Sequence, residues 1–159
     1  MTYVIRTAGV DDAAAIAALV NEAFAMEREF VDRDRTSADE IVHMLGTGTF
    51  LAIDGDPGLS ACVYFEPRGA RLYLGMLAVS PSHQKHGLGK QLMMAGERFC
   101  LEHGCTGIDI RIVNRRTELP PFYRRLGFVE QGTEPFDDPL LTKPCHFIRM
   151  SKDLPADRP

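Results

Sequence analysis

With 159 residues, 45% of them hydrophobic and 25% charged, the chain has the make-up of one globular domain with a single core. Its formal net charge of -4 argues against nonspecific nucleic-acid binding, which needs a basic surface. No stretch approaches the length of a membrane span, and Arg6, Asp11 and Asp12 stand where a signal peptide needs an apolar run, so a cytoplasmic location with no membrane or nucleic-acid partner is expected.

Residues 3–8 read as a short first strand. From Asp11 the pattern turns helical: Ile16, Leu19, Val20, Ala23 and Phe24 fall at i, i+3, i+4, i+7 and i+8, one apolar stripe. Ser37 followed by Glu40 has capping-box spacing and opens a second helix that ends at Gly46. TFLAID and LSACVYFE read as two strands around the GDPG turn at 55–58. RLYLGMLAV (71–79) is apolar on both faces, the pattern of a central buried strand. Gly75 interrupts it and suggests a bulge or a close backbone approach. Leu88, Leu92, Ala95 and Phe99 give the apolar face of a longer helix, closed at Gly104. GIDIRIV alternates as a strand does, LPPFYRRLGF reads as a short helix closed by Gly127, and FVEQGT and CHFIRM read as the last two strands.

This order predicts an α/β fold: a mixed, mostly antiparallel sheet of six to seven strands with about four helices. It occupies one domain over 1–152, followed by a frayed tail at 153–159. The strands flanking the long helix are expected to run parallel, joined by one crossover. Cys62, Cys100, Cys105 and Cys145 form no CxxC pair and are expected to be buried thiols in a reducing compartment. His43, His83 and His103 show no HExxH or clustered spacing, so no metal site is expected.

The segment HQKHGLGK (83–90) joins the apolar strand at 71–79 to the helix that follows, the usual position of an anion-binding turn. A Walker A loop fails twice, because Gln84 replaces its first glycine and Gln91 its magnesium-binding hydroxyl. A G-x-G-x-x-G fingerprint fails at Leu92. The pattern Q-x-x-G-x-G, made by Gln84, Gly87 and Gly89, fits. It follows MLAV, and PFYRRLGF (121–128) and the closing HFIRMSKDL lie downstream in order.

With these motifs the chain resembles the GCN5-related N-acetyltransferases (GNAT) over about residues 3 to 152. The resemblance implies acetyl-CoA as co-substrate, without a metal, and an amine on a small molecule or a peptide as acceptor. A homodimer is left open. It implies that Gln84, Lys85, His86, Gly87, Leu88, Gly89 and Lys90 form the pyrophosphate loop, where glycines let helix N-terminal amides approach the anion. Backbone groups of Leu77, Ala78 and Val79 would hold the pantetheine arm and supply donors for the developing oxyanion. Tyr123 takes the position of the group that serves the leaving thiolate. A free thiol has a pKa of about 8.5 and tyrosine about 10, so full proton transfer is uphill by ~2 kcal/mol and hydrogen bonding to sulfur is the main expected role.

Where many relatives carry an asparagine, seven residues before Tyr123, this chain has Arg116, with Asn114 nearby. Both are carried as cofactor-binding candidates. Arg116 is read as a partner for a CoA phosphate or an acidic substrate group, or else as a solvated loop arginine. GTEPF (132–136) is a candidate lining of the acceptor cleft. Deprotonating a lysine-like amine at pH 7 costs ~4.6 kcal/mol, so a base is expected. Glu66, Glu118 and His146 stand as candidates without a choice among them. The competing reading is an idle acyl-CoA-binding sensor or regulatory module.

Overall fold

The structure, a computed structural model, describes residues 3–155. Eleven main elements follow the predicted order: β1 (Ile5–Thr7), α1 (Ala13–Ala23), α2 (Ala38–Leu45), β2 (Thr49–Asp54), β3 (Leu59–Arg68), β4 (Arg71–Val79), α3 (Leu88–Glu102), β5 (Gly107–Val113), α4 (Leu119–Arg125), β6 (Val129–Pro135) and β7 (His146–Asp153). The strands form one seven-stranded sheet in the order β1-β2-β3-β4-β5-β7-β6. Among the described residues β4 and β5 make the one parallel pair. Beyond the expected elements, 3-10 turns precede and follow α1, and the second, Ala25–Glu29, matters for the site.

The sheet is covered on both faces. On one, Ile16 and Val20 of α1 and Ile41 of α2 pack on Phe50, Ala52, Cys62 and Tyr64. On the other, Leu88, Leu92 and Cys100 of α3 and Tyr123 of α4 pack on Phe65, Leu72, Leu74, Ile108 and Met150. Ser37 caps α2 by accepting a hydrogen bond from the Glu40 amide, but the Glu40 carboxylate bonds Thr36 Oγ1 at 2.6 Å, so only half of the expected capping box forms. β6 is one of the two edge strands, exposed along nearly its whole length, with a register shift at Gly132 and a closing Pro135, both features that blunt a sheet edge.

Two irregularities in β4 shape the molecule. The first is a bulge. Cys62 pairs with Ala78 and Tyr64 with Gly75, which leaves one extra residue on β4. The left-handed residue is Met76, at φ 53°, and not Gly75. The bulge reverses the side-chain alternation: Leu74 faces the α3 side, whereas Met76 and Ala78 join the α1 side. Gly75 has another reason to be glycine, since a Cβ there would lie 3.0 Å from the Tyr73 hydroxyl and 3.2 Å from its ring.

The second irregularity is a fork. β4 and β5 pair only at Leu72–Ile108 and Tyr73–Asp109, near their starts, and beyond that point the two strands share no pairing. The C-terminal tail also begins later than expected. β7 runs through Asp153, and Leu154 is buried and donates its amide to Thr106, because the β5–β7 ladder extends to Gly107–Asp153. Residues 156–159 of the expected tail lie outside the described residues.

Candidate active site

The fork opens a cleft of about 490 Å³. Residues 73–77 of β4 form one wall and residues 110–113 of β5 the other. From Leu74 onward β4 has no strand partner on this side, so those of its backbone groups that do not pair with β3 face the opening. Leu77 lines the cleft. Ala78 is buried with its methyl in the α1-side core, so only its backbone can meet a ligand. The Val79 carbonyl receives the Gln84 side-chain amide at 3.4 Å, which folds the loop back onto the strand end.

Behind Leu77 stands the N-terminus of α3. Lys85 (φ 70°) and Gly87 (φ 75°) are both left-handed, and Gly87 is the helix N-cap. Gln91 donates to the Gly87 carbonyl at 3.0 Å, so the amides of Leu88, Gly89 and Lys90 precede that bond and lack partners one turn back. Nothing lies within 4 Å of a Cβ built on Gly87, so this rim is open. Lys85, His86 and Lys90 are exposed around it, while the Leu88 side chain is core. A Cβ on Gly89 would reach Phe122 at 3.6 Å and Leu77 at 4.0 Å, two cleft residues. Open amides, an αL glycine and flanking cations suit a pyrophosphate, and the strandless β4 edge suits an extended amide-bearing arm.

Tyr123 comes from α4, which opens with two prolines (Pro120, Pro121) and ends where Gly127 turns left-handed. Its ring meets Phe122 and Phe128 edge-on, at 5.1 and 5.6 Å between centroids. The residue is buried and lines the cleft. Its hydroxyl makes no hydrogen bond to any described residue, and it is not sealed from the cavity. Burial pushes its pKa well above the tyrosine range, with Arg116 opposing and Tyr73 adding to the shift. The hydroxyl is therefore a neutral donor at any physiological pH.

The far side of the cleft joins parts that sequence reading singles out, Arg116 and the end of GTEPF, to parts that it does not. The 3-10 turn after α1 brings in Glu27, which is, among the described residues, the one buried carboxylate. Arg116 Nη1 donates to Glu27 Oε2 at 2.7 Å, and Arg116 Nε donates to Glu118 at 3.2 Å. Arg116 is thus neither solvated nor free for a CoA phosphate: it is buried and neutralised within the fold. Tyr73 also lines this side. Segment 30–33 is tied to the β6–β7 loop through an antiparallel bridge between Val31 and Leu141. Asp32 N donates to the Leu140 carbonyl at 2.8 Å, and Thr142 N to that of Phe30 at 2.9 Å. Arg33 donates to Asp138 at 2.6 Å. Pro135 and Phe136, the end of the GTEPF stretch, line the cleft, but 132–134 do not.

Other candidates lie elsewhere. Asn114 accepts from the His146 amide at 2.9 Å and donates its own amide to the His146 carbonyl at 2.9 Å, so it ties the end of β5 to the start of β7 and does not line the cleft. Glu66 accepts from Tyr64 at 2.8 Å and pairs with Arg68, Glu118 is exposed beside Arg116, and His146 is exposed at the start of β7. None of the three candidate bases lines the cleft. Glu27 does, and no local motif marks it, because only the tertiary pair with Arg116 brings it in.

The chain matches the family described as "Acetyltransferase (GNAT) family" over residues 14–128. It is 31% identical over 88 residues to the streptothricin acetyltransferase of Streptomyces lavendulae, a stretch covering 54% of this chain and 47% of that protein. The chain thus spans about half the length of this curated relative. Two solved structures share the fold across nearly the whole chain. The ribosomal-protein-S18-alanine N-acetyltransferase from Escherichia coli superposes with a TM-score of 0.80 at 17% identity, covering 96% of this chain and 94% of that one. The PaiA N-acetyltransferase from Thermoplasma acidophilum, solved in complex with coenzyme A, gives 0.76 at 15% identity, covering 97% and 100%.

Proposed function

The chain belongs to the acetyltransferase (GNAT) family, and from that membership we propose that it is an acetyl-CoA-dependent N-acetyltransferase. One observation carries the reading. The strandless edge of β4 and the unbonded hydroxyl of Tyr123 face the same cleft, with the open N-terminus of α3 directly behind it. A cytoplasmic location is part of the proposal, supported by four free thiols. No described helix is long and apolar enough to cross a membrane.

In this reading each residue has a task. Amides of the 84–90 loop, with Lys85 and Lys90, neutralise the pyrophosphate. Backbone groups of Leu77, Ala78 and Val79 align the pantetheine arm, and those N–H groups of this segment that do not pair with β3 stabilise negative charge on the thioester oxygen. The far side of the cleft holds the amine, whose nitrogen forms the new bond to the acetyl carbon as the carbon–sulfur bond breaks. Tyr123 donates a hydrogen bond to the departing sulfur, which takes up a proton through it or from solvent. Glu27 Oε2 is committed to Arg116, and its Oε1, bonded to no described residue, receives the amine's proton directly or through a water.

Thiol release from acetyl-CoA, followed with and without a panel of amines, tests this proposal. Release that rises with one class of amine and saturates in it is expected. Tight acetyl-CoA binding with amine-independent release would instead favour the idle sensor.

A further inference from the structure

Four arginines stand on the acceptor side of the cleft, and the fold neutralises three of them. Arg33 is paired with Asp138, Arg116 with Glu27 and Glu118, and Arg111 lies 3.8 Å from Glu134 with its guanidinium over Phe147. The fourth, Arg35, lines the same cavity, is half-buried, and makes no hydrogen bond or ion pair among the described residues. Its guanidinium rests near Phe24, with Cζ 5.7 Å from the ring centroid. The Arg116 guanidinium lies 5.4 Å from that same ring. Phe24 therefore holds two guanidiniums at the cleft wall, one compensated and one not.

A partly desolvated cation without a counter-ion is unfavourable unless an anion arrives. Resting on the acetyltransferase reading above, we propose that Arg35 receives a carboxylate on the acceptor, so that the substrate class is compact amino-carboxylates. Size and charge both support this choice. The bridge between Val31 and Leu141 and the Arg33–Asp138 pair tie segment 30–33 to the β6–β7 loop beside this side, and the cleft of about 490 Å³ must also admit the acetyl end of the co-substrate, which favours a small acceptor. Glu27, Asp137 and Asp138 share the lining with Arg35, which disfavours a dianion such as phosphate. It suits a zwitterion whose carboxylate meets Arg35 and whose ammonium meets Glu27. Arg35 is then a specificity-determining residue that takes no part in bond breaking.

The test uses the full chain, acetyl-CoA, the common L-amino acids and their carboxamides, with acetyl-CoA binding measured separately by calorimetry. The wild type should acetylate at least one free amino acid with kcat/KM about 10- to 100-fold above its carboxamide, the range of a charge-assisted hydrogen bond. Arg35→Gln should erase that ratio through the acceptor KM, leaving the acetyl-CoA KM and the melting temperature unmoved, and Arg35→Lys should restore part of it. Equal rates within the pairs, or a preference that survives in Arg35→Gln, would overturn the proposal. So would bound acetyl-CoA with transfer to no amino acid. Failure to bind acetyl-CoA at all would instead remove the transferase reading on which the proposal rests.

Discussion

Arg116 donates to Glu27 across 2.7 Å, although 89 positions separate the two residues in the chain. This pair fastens the 3-10 turn after α1 to the loop between β5 and α4, and so ties two distant chain segments together on the far side of the cleft. Breaking one half leaves a buried charge uncompensated. Arg116→Ala should cost about 3–5 kcal/mol of stability in urea titration. The double variant Glu27→Gln with Arg116→Met should lose less than the two single changes added together. Additive losses would mean that the pair is not coupled.

The two loop glycines should respond differently. Gly87 needs its left-handed φ of 75°, so Gly87→Val should destabilise the chain by at least about 1–2 kcal/mol while blocking CoA. Gly87→Asn, which tolerates that conformation, should keep the fold. A Cβ at Gly89 meets only ordinary contacts, the nearest at 3.6 Å, so Gly89→Ala should fold normally. It narrows the space beside Phe122 and Leu77, and the rise in melting temperature on adding CoA should shrink. An unchanged CoA-induced rise in Gly89→Ala would move the pyrophosphate site elsewhere.

Tyr123→Phe keeps the ring contacts with Phe122 and Phe128 and removes a hydroxyl that satisfies no protein group. Folding and CoA affinity should hold, while single-turnover transfer slows by ~10²- to 10⁴-fold. Burial raises the Tyr123 pKa, so the wild-type rate should climb with pH as the amine deprotonates and show no fall from tyrosine ionisation up to about pH 10. A descending limb near pH 9 that disappears in Tyr123→Phe would contradict the buried, neutral assignment.

The thiols give an independent check of the core. Burial pushes Cys62 up to about 12 and Cys100 up to about 11, so neither forms a reactive thiolate at pH 8. Cys105 is buried, and Cys145 alone is partly exposed. Iodoacetamide on the native chain should label Cys145 first, and the other three only after denaturant is added. Early labelling of Cys62 would show that the α1-side core opens.

The element order was legible because each helix and strand carries its own period and its own stop signal, such as Ser37, Gly104 and Gly127. The loop at 84–90 and Tyr123 stand out as candidates in the sequence because their motifs are contiguous. Gly75 in a strand suggests a bulge or a close backbone approach, and the structure has a bulge there with its left-handed residue at Met76. The glycine reflects space beneath Tyr73, which no local rule anticipates. Asn114 looked available for a ligand because its pairing with His146 joins positions 32 apart. No local signal marks Glu27 or settles the role of Arg116, because each makes sense only beside the other.

A crystal structure of the chain with acetyl-CoA measures the central claim most directly. The expected result places the thioester in the fork between β4 and β5, its sulfur about 3–3.5 Å from the Tyr123 hydroxyl. Its carbonyl oxygen should face the backbone of Leu77, Ala78 and Val79, with the pyrophosphate on the amides at 84–90. Acetyl-CoA bound outside the fork, or a sulfur beyond about 6 Å from the Tyr123 hydroxyl, would contradict the account.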